Sequence, residues 1–308
     1  MSVGTLITLV GGQPIPSLLP IRALQPERVL FVHTGTGSRG TEPVACRIAR
    51  LTSSAQCDFV AVKPYDLQVI RSRIADRLLD EEPAIFNLTS GTKIMTLAAY
   101  GLAAERGAPF VYLRTEGRRG RDLQSVLYRY AFREGGPVSE TSVTLSGDLL
   151  SLDAYLKAHW DHGYTENGFS QAAGGAFEEA VYRALDGWVD EIKAGVRPNG
   201  FKDQVEIDLV IRCGNQVGII EVKRSGRGES GKKGVDQLTT AAARELSGIY
   251  TARFLITGGS NREEYKQAAR KLGIRVVDLF GARGGQLSQD AITKLQQAIA
   301  EQMPVKQK

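Results

Sequence analysis

Two α/β domains are what this sequence predicts, the first on a mostly parallel sheet and the second on a mixed one. Three observations lead there. Short apolar runs alternate with helical patterns through the first 115 or so residues, the signature of successive β-α-β units. Past about residue 165 a helix precedes a hairpin pattern and then more strand–helix alternation, so antiparallel and parallel pairs must share one sheet. The length, 308 residues, suits two cores of about 150 residues each. The expected organisation is a first domain over 1–145, a linker over 146–165 and a second domain over 166–308.

In the first domain, Thr5–Val10 reads as a strand ending at Gly11-Gly12, and Pro16–Leu24 as a short helix. Arg28–His33 is a strand that runs into the glycine-rich loop Thr34–Gly40; Thr41–Thr52 is helical. Asp58–Val62 is a strand, Asp66–Leu79 a helix, Ala84–Asn87 a strand, Thr92–Arg106 a helix and Pro109–Leu113 a strand. Strand-like Ser125–Phe132 and Val143–Leu145 follow. A short helix near Leu149–His159 precedes the second domain. There the pattern is a helix over about 173–193, two strands joined by a turn, a basic loop, a helix over about 234–247, strand Arg253–Thr257, a helix and strand Ile274–Leu279.

The composition, 42% hydrophobic and 24% charged, belongs to a globular protein. No apolar run approaches the roughly 18 residues of a membrane span, and the N-terminus has no positive n-region. Cys46, Cys57 and Cys213 show neither CxxC spacing nor an even count, against a disulfide framework. A cytoplasmic protein is expected. The net charge of +5 is spread over both halves, 17 basic against 14 acidic residues in 1–150 and 22 against 20 in the rest, so a nucleic-acid partner would need a local patch. Of those first 17 basic residues only Lys63 and Lys93 are lysines.

The chemistry concentrates on a hairpin. Val205–Arg212 alternates, with Val205, Ile207, Leu209 and Ile211 on one face and Glu206 and Asp208 on the other. Val217–Lys223 follows across a Gly214-Asn215 turn signal. A two-residue turn there places Asp208 directly opposite Glu221, and period 2 puts Lys223 beside Glu221. Directly opposed carboxylates repel unless a cation sits between them. In the preceding helix, Glu178 lies on the stripe of Tyr182, Leu185 and Val189, whereas Glu179 lies with Arg183, Asp186 and Asp190 on the wet face. Glu178 is therefore the acid expected to face the sheet. Oxygen donors without Cys or His point to Mg²⁺ or Mn²⁺ rather than Zn²⁺.

Glu178 on its helix, Asp208 in EIDLV and Glu221-Val222-Lys223 in IIEVK together resemble the PD-(D/E)xK nuclease core, with Ile207 where that family often carries proline. Gln237 resembles the family's accessory glutamine. The resemblance implies that Asp208 and Glu221 hold the metal, Glu178 is an outer ligand and Lys223 serves the attacking water. The glycine-rich loop after it, with Arg224, Arg227, Lys232 and Lys233, could follow a phosphate backbone.

In the first domain, Gly35–Gly40 satisfies G-x-G-x-x-G after a strand, yet Asp58 stands at the start of the next strand instead of its end, and Glu42-Pro43 stands where a small residue should pack, against dinucleotide binding. Asn87, Thr89, Ser90, Gly91, Thr92, Lys93 and Met95 open a helix after a strand and suit an anion cradle. The segment fails the Walker A pattern. With Gly11, Gly12, Gln13 and Pro14 after the first strand, and Thr34, Gly35, Thr36, Ser38 and Arg39 after the second, these segments resemble a CARF domain. That is the Rossmann-like sensor of cyclic oligoadenylates in type III CRISPR defence. The whole chain resembles the CARF-domain PD-(D/E)xK ancillary nucleases of those systems. The resemblance implies a restriction-endonuclease-like second domain, a homodimer, cyclic tetra-adenylate as activator, and DNA or RNA as substrate. A restriction- or repair-like nuclease answering to another nucleotide, and a non-catalytic nucleotide-responsive binder, are the alternatives.

Overall fold

The computed structural model describes residues 3–37, 40–52, 55–79, 82–118, 120–171, 174–200, 206–224, 235, 251–279 and 286–305. The chain divides into two units, Met1–Glu116 with Gln124–Leu149, and Gly117–Leu123 with Leu150–Lys308. Most of the stretch read as a linker, from Leu150 on, thus lies in the second unit, where it forms a helix and a strand.

In unit 1 the strands are β1 (Thr5–Leu9), β2 (Arg28–His33), β3 (Gln56–Ala61), β4 (Ala84–Asn87), β5 (Phe110–Glu116), β6 (Gln124–Arg133) and β7 (Gly136–Thr144). They lie in the order β3-β2-β1-β4-β5-β6-β7. The first five are parallel, and β5-β6-β7 is an antiparallel meander. Helices α1 (Ile15–Leu24), α2 (Glu42–Arg50), α3 (Leu67–Ala75) and α4 (Lys93–Glu105) are the crossovers. Two of them start at side-chain caps: Asp66 accepts from the Val69 N–H and Thr92 from the Met95 N–H. Ile7, Leu9, Leu30, Val32 and Phe86 form a core with Ile70 and Ile74 of α3 and Met95 and Ala98 of α4. Leu6, Val29 and Phe31, on the opposite face, are equally buried, as a parallel sheet covered on both sides demands. From β1 the chain moves outward to β2, and from β4 it moves the other way to β5. The crevice at the carboxyl ends of β1 and β4 is therefore the switch point where such sheets take ligands.

Unit 2 contains α5 (Leu152–His159), β8 (Tyr164–Glu166), α6 (Gly175–Leu185), β9 (Glu191–Pro198), β10 (Ile207–Cys213), β11 (Gln216–Lys223), β12 (Ala252–Thr257), α7 (Glu263–Lys271), β13 (Ile274–Asp278) and α8 (Gln289–Ala300). The sheet order is β13-β12-β11-β10-β9-β8. Neighbours from β8 to β11 are antiparallel, and β11-β12-β13 is parallel. One face packs Leu209, Ile211, Ile220 and Val222 against Phe177, Val181 and Leu185 of α6 and Leu295 and Ile299 of α8.

The sequence reading extended the α6 helix to about residue 193. It ends instead at Leu185, before Gly187 with φ +69°, and residues 191–198 are β9, antiparallel to β10. Val189 stays in the core without being helical. The expected helix over 234–247 falls almost wholly outside the described residues, and α8 was not anticipated. Among the described residues no helix is long and apolar enough to cross a membrane, and the three cysteines are free thiols.

Candidate functional site

The β10–β11 ladder runs from Cys213↔Gln216, across the Gly214-Asn215 turn, to Leu209↔Ile220. One step further in the same register Asp208 faces Glu221. Glu221 is 2% exposed and Asp208 partly buried. The Asp208 carboxylate accepts from the Val222 N–H at 2.7 Å, and the Lys223 ammonium donates to Glu221.

The electrostatics of this trio are one-sided. Burial pushes the Glu221 carboxyl up and the Asp208 charge pushes it further, against the pull of Lys223. Burial also raises Asp208, while the Val222 N–H and Lys223 lower it. Burial draws Lys223 down, but Glu221, Asp208 and Glu178 outweigh it and its pKa ends raised. One ammonium does not balance these acids, and another cation would.

Glu178 acts on all three groups through its charge, yet its carboxylate accepts from the Ser170 N–H at 3.1 Å. Among the described residues no three Asp, Glu, His or Cys side chains gather into a ligand cage. The two oxygen donors, buried Glu221 and partly buried Asp208, would nevertheless suit a hard divalent cation. Glu179, by contrast, pairs with Arg183 on the exposed side of α6.

Several supports escaped the sequence reading. By the β9–β10 register Gly195 sits beside Asp208; its φ is +59°, and a Cβ there would lie 2.2 Å from the Gly168 carbonyl oxygen. The Gly195 carbonyl accepts from the Asn167 N–H, so the β8–α6 loop crosses at this point. Only the GG pair opening α6 hinted at close packing there: a Cβ on Gly175 would meet the Ser170 carbonyl oxygen at 1.7 Å. Beyond β11, the Gly258 N–H donates to the Lys223 carbonyl at 2.9 Å. That turn is fixed by a buried network in which Thr257 and Asn261 donate to Asp278 at 2.8 and 2.6 Å and Lys266 pairs with it at 2.7 Å. Arg224 is exposed at the strand end, while Arg227, Lys232, Lys233 and Gln237 lie outside the described residues.

In unit 1, the three segments singled out in the sequence follow β1, β2 and β4 at the carboxyl edge of the sheet. Asn87, fully buried, is a strut: it donates to the Thr8 hydroxyl and the Pro16 carbonyl, both at 3.0 Å, and accepts from Thr89. The Thr89 hydroxyl in turn accepts from the Leu113 N–H at 2.8 Å. Met95 is also fully buried, a core residue under Gly91 rather than a wall of a pocket. Gly91 has φ +84°. Gly11 packs so closely that a Cβ would lie 2.5 Å from the Ser90 hydroxyl, so the β1 and β4 loops touch. Gln13 and Pro14 are buried, whereas Gly12, Thr36 and Lys93 are exposed. Thr34 donates its N–H to the Thr41 hydroxyl, and the Gly35 N–H donates to His33 Nδ1 at 3.2 Å. Ser38 and Arg39 lie outside the described residues.

Unit 1 is thus a mostly parallel sheet with small and polar loops at its switch point, and unit 2 a mixed sheet that carries two opposed acids. Residues 5–131, nearly all of them in unit 1, match the family model described as the Card1 CARF domain. Over 97% of this chain and 98% of the other, the fold matches Can2 from Sulfobacillus thermosulfidooxidans in complex with cyclic tetra-adenylate, with a TM-score of 0.71 and 17% identity. VC1899 from Vibrio cholerae matches over the same shares with a TM-score of 0.68 and 12% identity. A type III CRISPR defence DNA nuclease activated by cyclic oligoadenylate matches with a TM-score of 0.57 and 15% identity, over 85% of this chain and 46% of that one. At such identities the likeness is one of fold. No curated protein matches the sequence.

Proposed function

We propose that this chain is a homodimeric, divalent-metal-dependent endonuclease of type III CRISPR defence, working in the cytoplasm. In this reading cyclic oligoadenylate, with cyclic tetra-adenylate the expected ring, binds unit 1 and switches on cleavage of DNA, RNA or both by unit 2. The single observation that carries the nuclease reading is the pair of opposed carboxylates, partly buried Asp208 and buried Glu221, with Lys223 beside them. The CARF match and the fold shared with Can2 support the activator.

Asp208 and Glu221 would hold Mg²⁺ or Mn²⁺. When bound, the ion polarises the scissile phosphate and lowers the pKa of a coordinated water. The chain's own residues supply the rest. The Val222 N–H fixes the Asp208 carboxylate, and the two strands fix the spacing of the acids. The Lys223 ammonium, already hydrogen-bonded to Glu221, orients the attacking water and stabilises negative charge building on the phosphoryl oxygens. Water oxygen would bond to phosphorus as the bond to the leaving sugar oxygen breaks, the attacking water giving up a proton to solvent and the leaving oxygen taking one up from it. Glu178 acts as an outer acid. Gln237 is assigned to the catalytic set as an accessory residue, Arg224, Arg227, Lys232 and Lys233 to nucleic-acid contact, and the exposed loop residues with Lys93 to the activator. Activation is a population shift: a ligand preferring the cutting-competent state of the dimer raises its share by its differential affinity.

The test is cleavage of plasmid DNA and of single-stranded RNA by purified protein, with and without cyclic tetra-adenylate and Mn²⁺. Cleavage that needs both additions supports the proposal. Cleavage indifferent to the cyclic nucleotide points to a restriction- or repair-like nuclease, and no cleavage under any condition to a non-catalytic binder.

A further inference from the structure

The turn after β3 stands between two of the activator loops. At one side the Val62 N–H donates to the carbonyl of His33, the last residue of β2, at 2.8 Å. At the other, the hydroxyl of Thr92, the cap of α4, donates to the Pro64 carbonyl at 2.8 Å. The turn is closed by the Asp66 N–H on the Lys63 carbonyl at 3.3 Å, and Asp66 then caps α3. Its tip is thus pinned on three sides, and it carries Tyr65, 78% exposed as a residue and the most exposed large hydrophobic among the described residues. Lys63 is exposed beside it. Neither side chain meets a hydrogen-bonding, ionic or aromatic partner among the described residues. An aromatic ring held in water on a rigid turn is a surface that a flat apolar group would cover with gain. Lys63 and Lys93 are the only lysines of the first 150 residues, and the Thr92–Pro64 bond brings their two segments together.

We propose that the Lys63–Asp66 turn is a fourth wall of the ligand site of unit 1, in which Tyr65 stacks on an adenine base and Lys63 meets the neighbouring phosphate. The proposal rests on the cyclic-oligoadenylate reading and extends it to residues outside the three motif segments. Stacking on an aromatic ring is indifferent to hydrogen-bond pattern, so Tyr65 contributes affinity for a purine face and little discrimination between purines.

The experiment is calorimetric titration of the full-length protein with cyclic tetra-adenylate and, separately, cyclic hexa-adenylate. Wild type, Tyr65→Ala, Tyr65→Phe and Lys63→Ala are compared, with the oligomeric state of each measured by sedimentation. Tyr65→Ala is expected to weaken the ring that wild type binds by roughly 5- to 100-fold, with Tyr65→Phe within about twofold of wild type. Lys63→Ala is expected to weaken binding and to flatten its salt dependence by about one ion. Equal affinity of Tyr65→Ala and wild type overturns the proposal. So does a loss that Tyr65→Phe fails to restore, or one that tracks a change of oligomeric state. If wild type binds neither ring, the underlying reading fails and takes this proposal with it, an outcome visible in the wild-type titration alone.

Discussion

Replacing Glu221 by glutamine should stabilise the metal-free protein while destroying its activity. The carboxylates of Glu221 and Asp208 occupy opposed strand positions, where side chains stand about 5 Å apart. At an effective dielectric of about 20, two unit charges at that distance repel by about 3 kcal/mol. The Lys223 ammonium offsets part of this for Glu221, so a net gain of about 1–2 kcal/mol is expected from removing one charge. For a domain of this size that is a rise in Tm of roughly 2–8 °C.

The sign follows from the proton balance. Burial and Asp208 raise the folded-state pKa of Glu221 above its unfolded value. The folded state then holds a proton that the unfolded state has released, so stability falls as pH rises from the ordinary carboxylate range toward the raised pKa. Wild-type Tm, measured by calorimetry in the presence of EDTA, should drop across that window, and Glu221→Gln should flatten the drop. Added Mn²⁺ should raise the wild-type Tm and leave the variant's unchanged, and cleavage by the variant should fall at least about 100-fold. A variant that melts lower than wild type in EDTA, or that still responds to Mn²⁺, would refute the picture of a carboxylate pair waiting for a cation.

Three further outcomes are expected. Asn87→Ala leaves the Thr8, Pro16 and Thr89 groups without their shared partner, and should cost roughly 2–4 kcal/mol in urea denaturation and weaken activator binding. Gly195→Ala puts a Cβ against the Gly168 carbonyl at a positive φ, which should cost at least about 1–3 kcal/mol and lower cleavage by shifting the β10 edge beside Asp208. Asp278 has its pKa lowered by Lys266, Asn261 and Thr257 against the opposing effect of burial. Its stabilisation is therefore present above the unfolded carboxylate pKa and lost as pH falls; Asp278→Asn should be less stable at neutral pH and lose less on acidification, as read by Tm between pH 3 and 7.

The hairpin was legible because its rules are local. A two-residue turn and a side-chain period of 2 suffice to oppose Asp208 and Glu221, and the observed ladder has that register. The β-α-β rhythm of the first half likewise predicted a parallel sheet, because a parallel pair needs a crossover. Where reading failed, a distant contact decided. Residues 191–193 were read as the end of a helix; pairing with β10 makes them strand. Asn87 and Met95 sit in a motif that looks like a ligand cradle, but one is a strut and the other core, since only the packed sheet shows which side chains of a loop turn inward. Glu178 was expected to face the sheet from its angle on the helix; its carboxylate accepts from the N–H of Ser170, eight residues earlier and before the helix, a partner that a helical wheel does not contain.

By itself, then, the sequence determined the class of both sheets, the hairpin acid pair with its lysine, and the three loops at the edge of the first sheet. Each follows from spacing along one short segment. Only the tertiary structure decided which loop residues face outward, that Glu178 stays out of a three-acid cage, that Thr257, Asn261 and Asp278 brace the end of the Lys223 strand, and that Tyr65 stands between two of those loops. These depend on hydrogen bonds between residues far apart in the chain. Such bonds are chosen by how the sheets close and not by any local pattern.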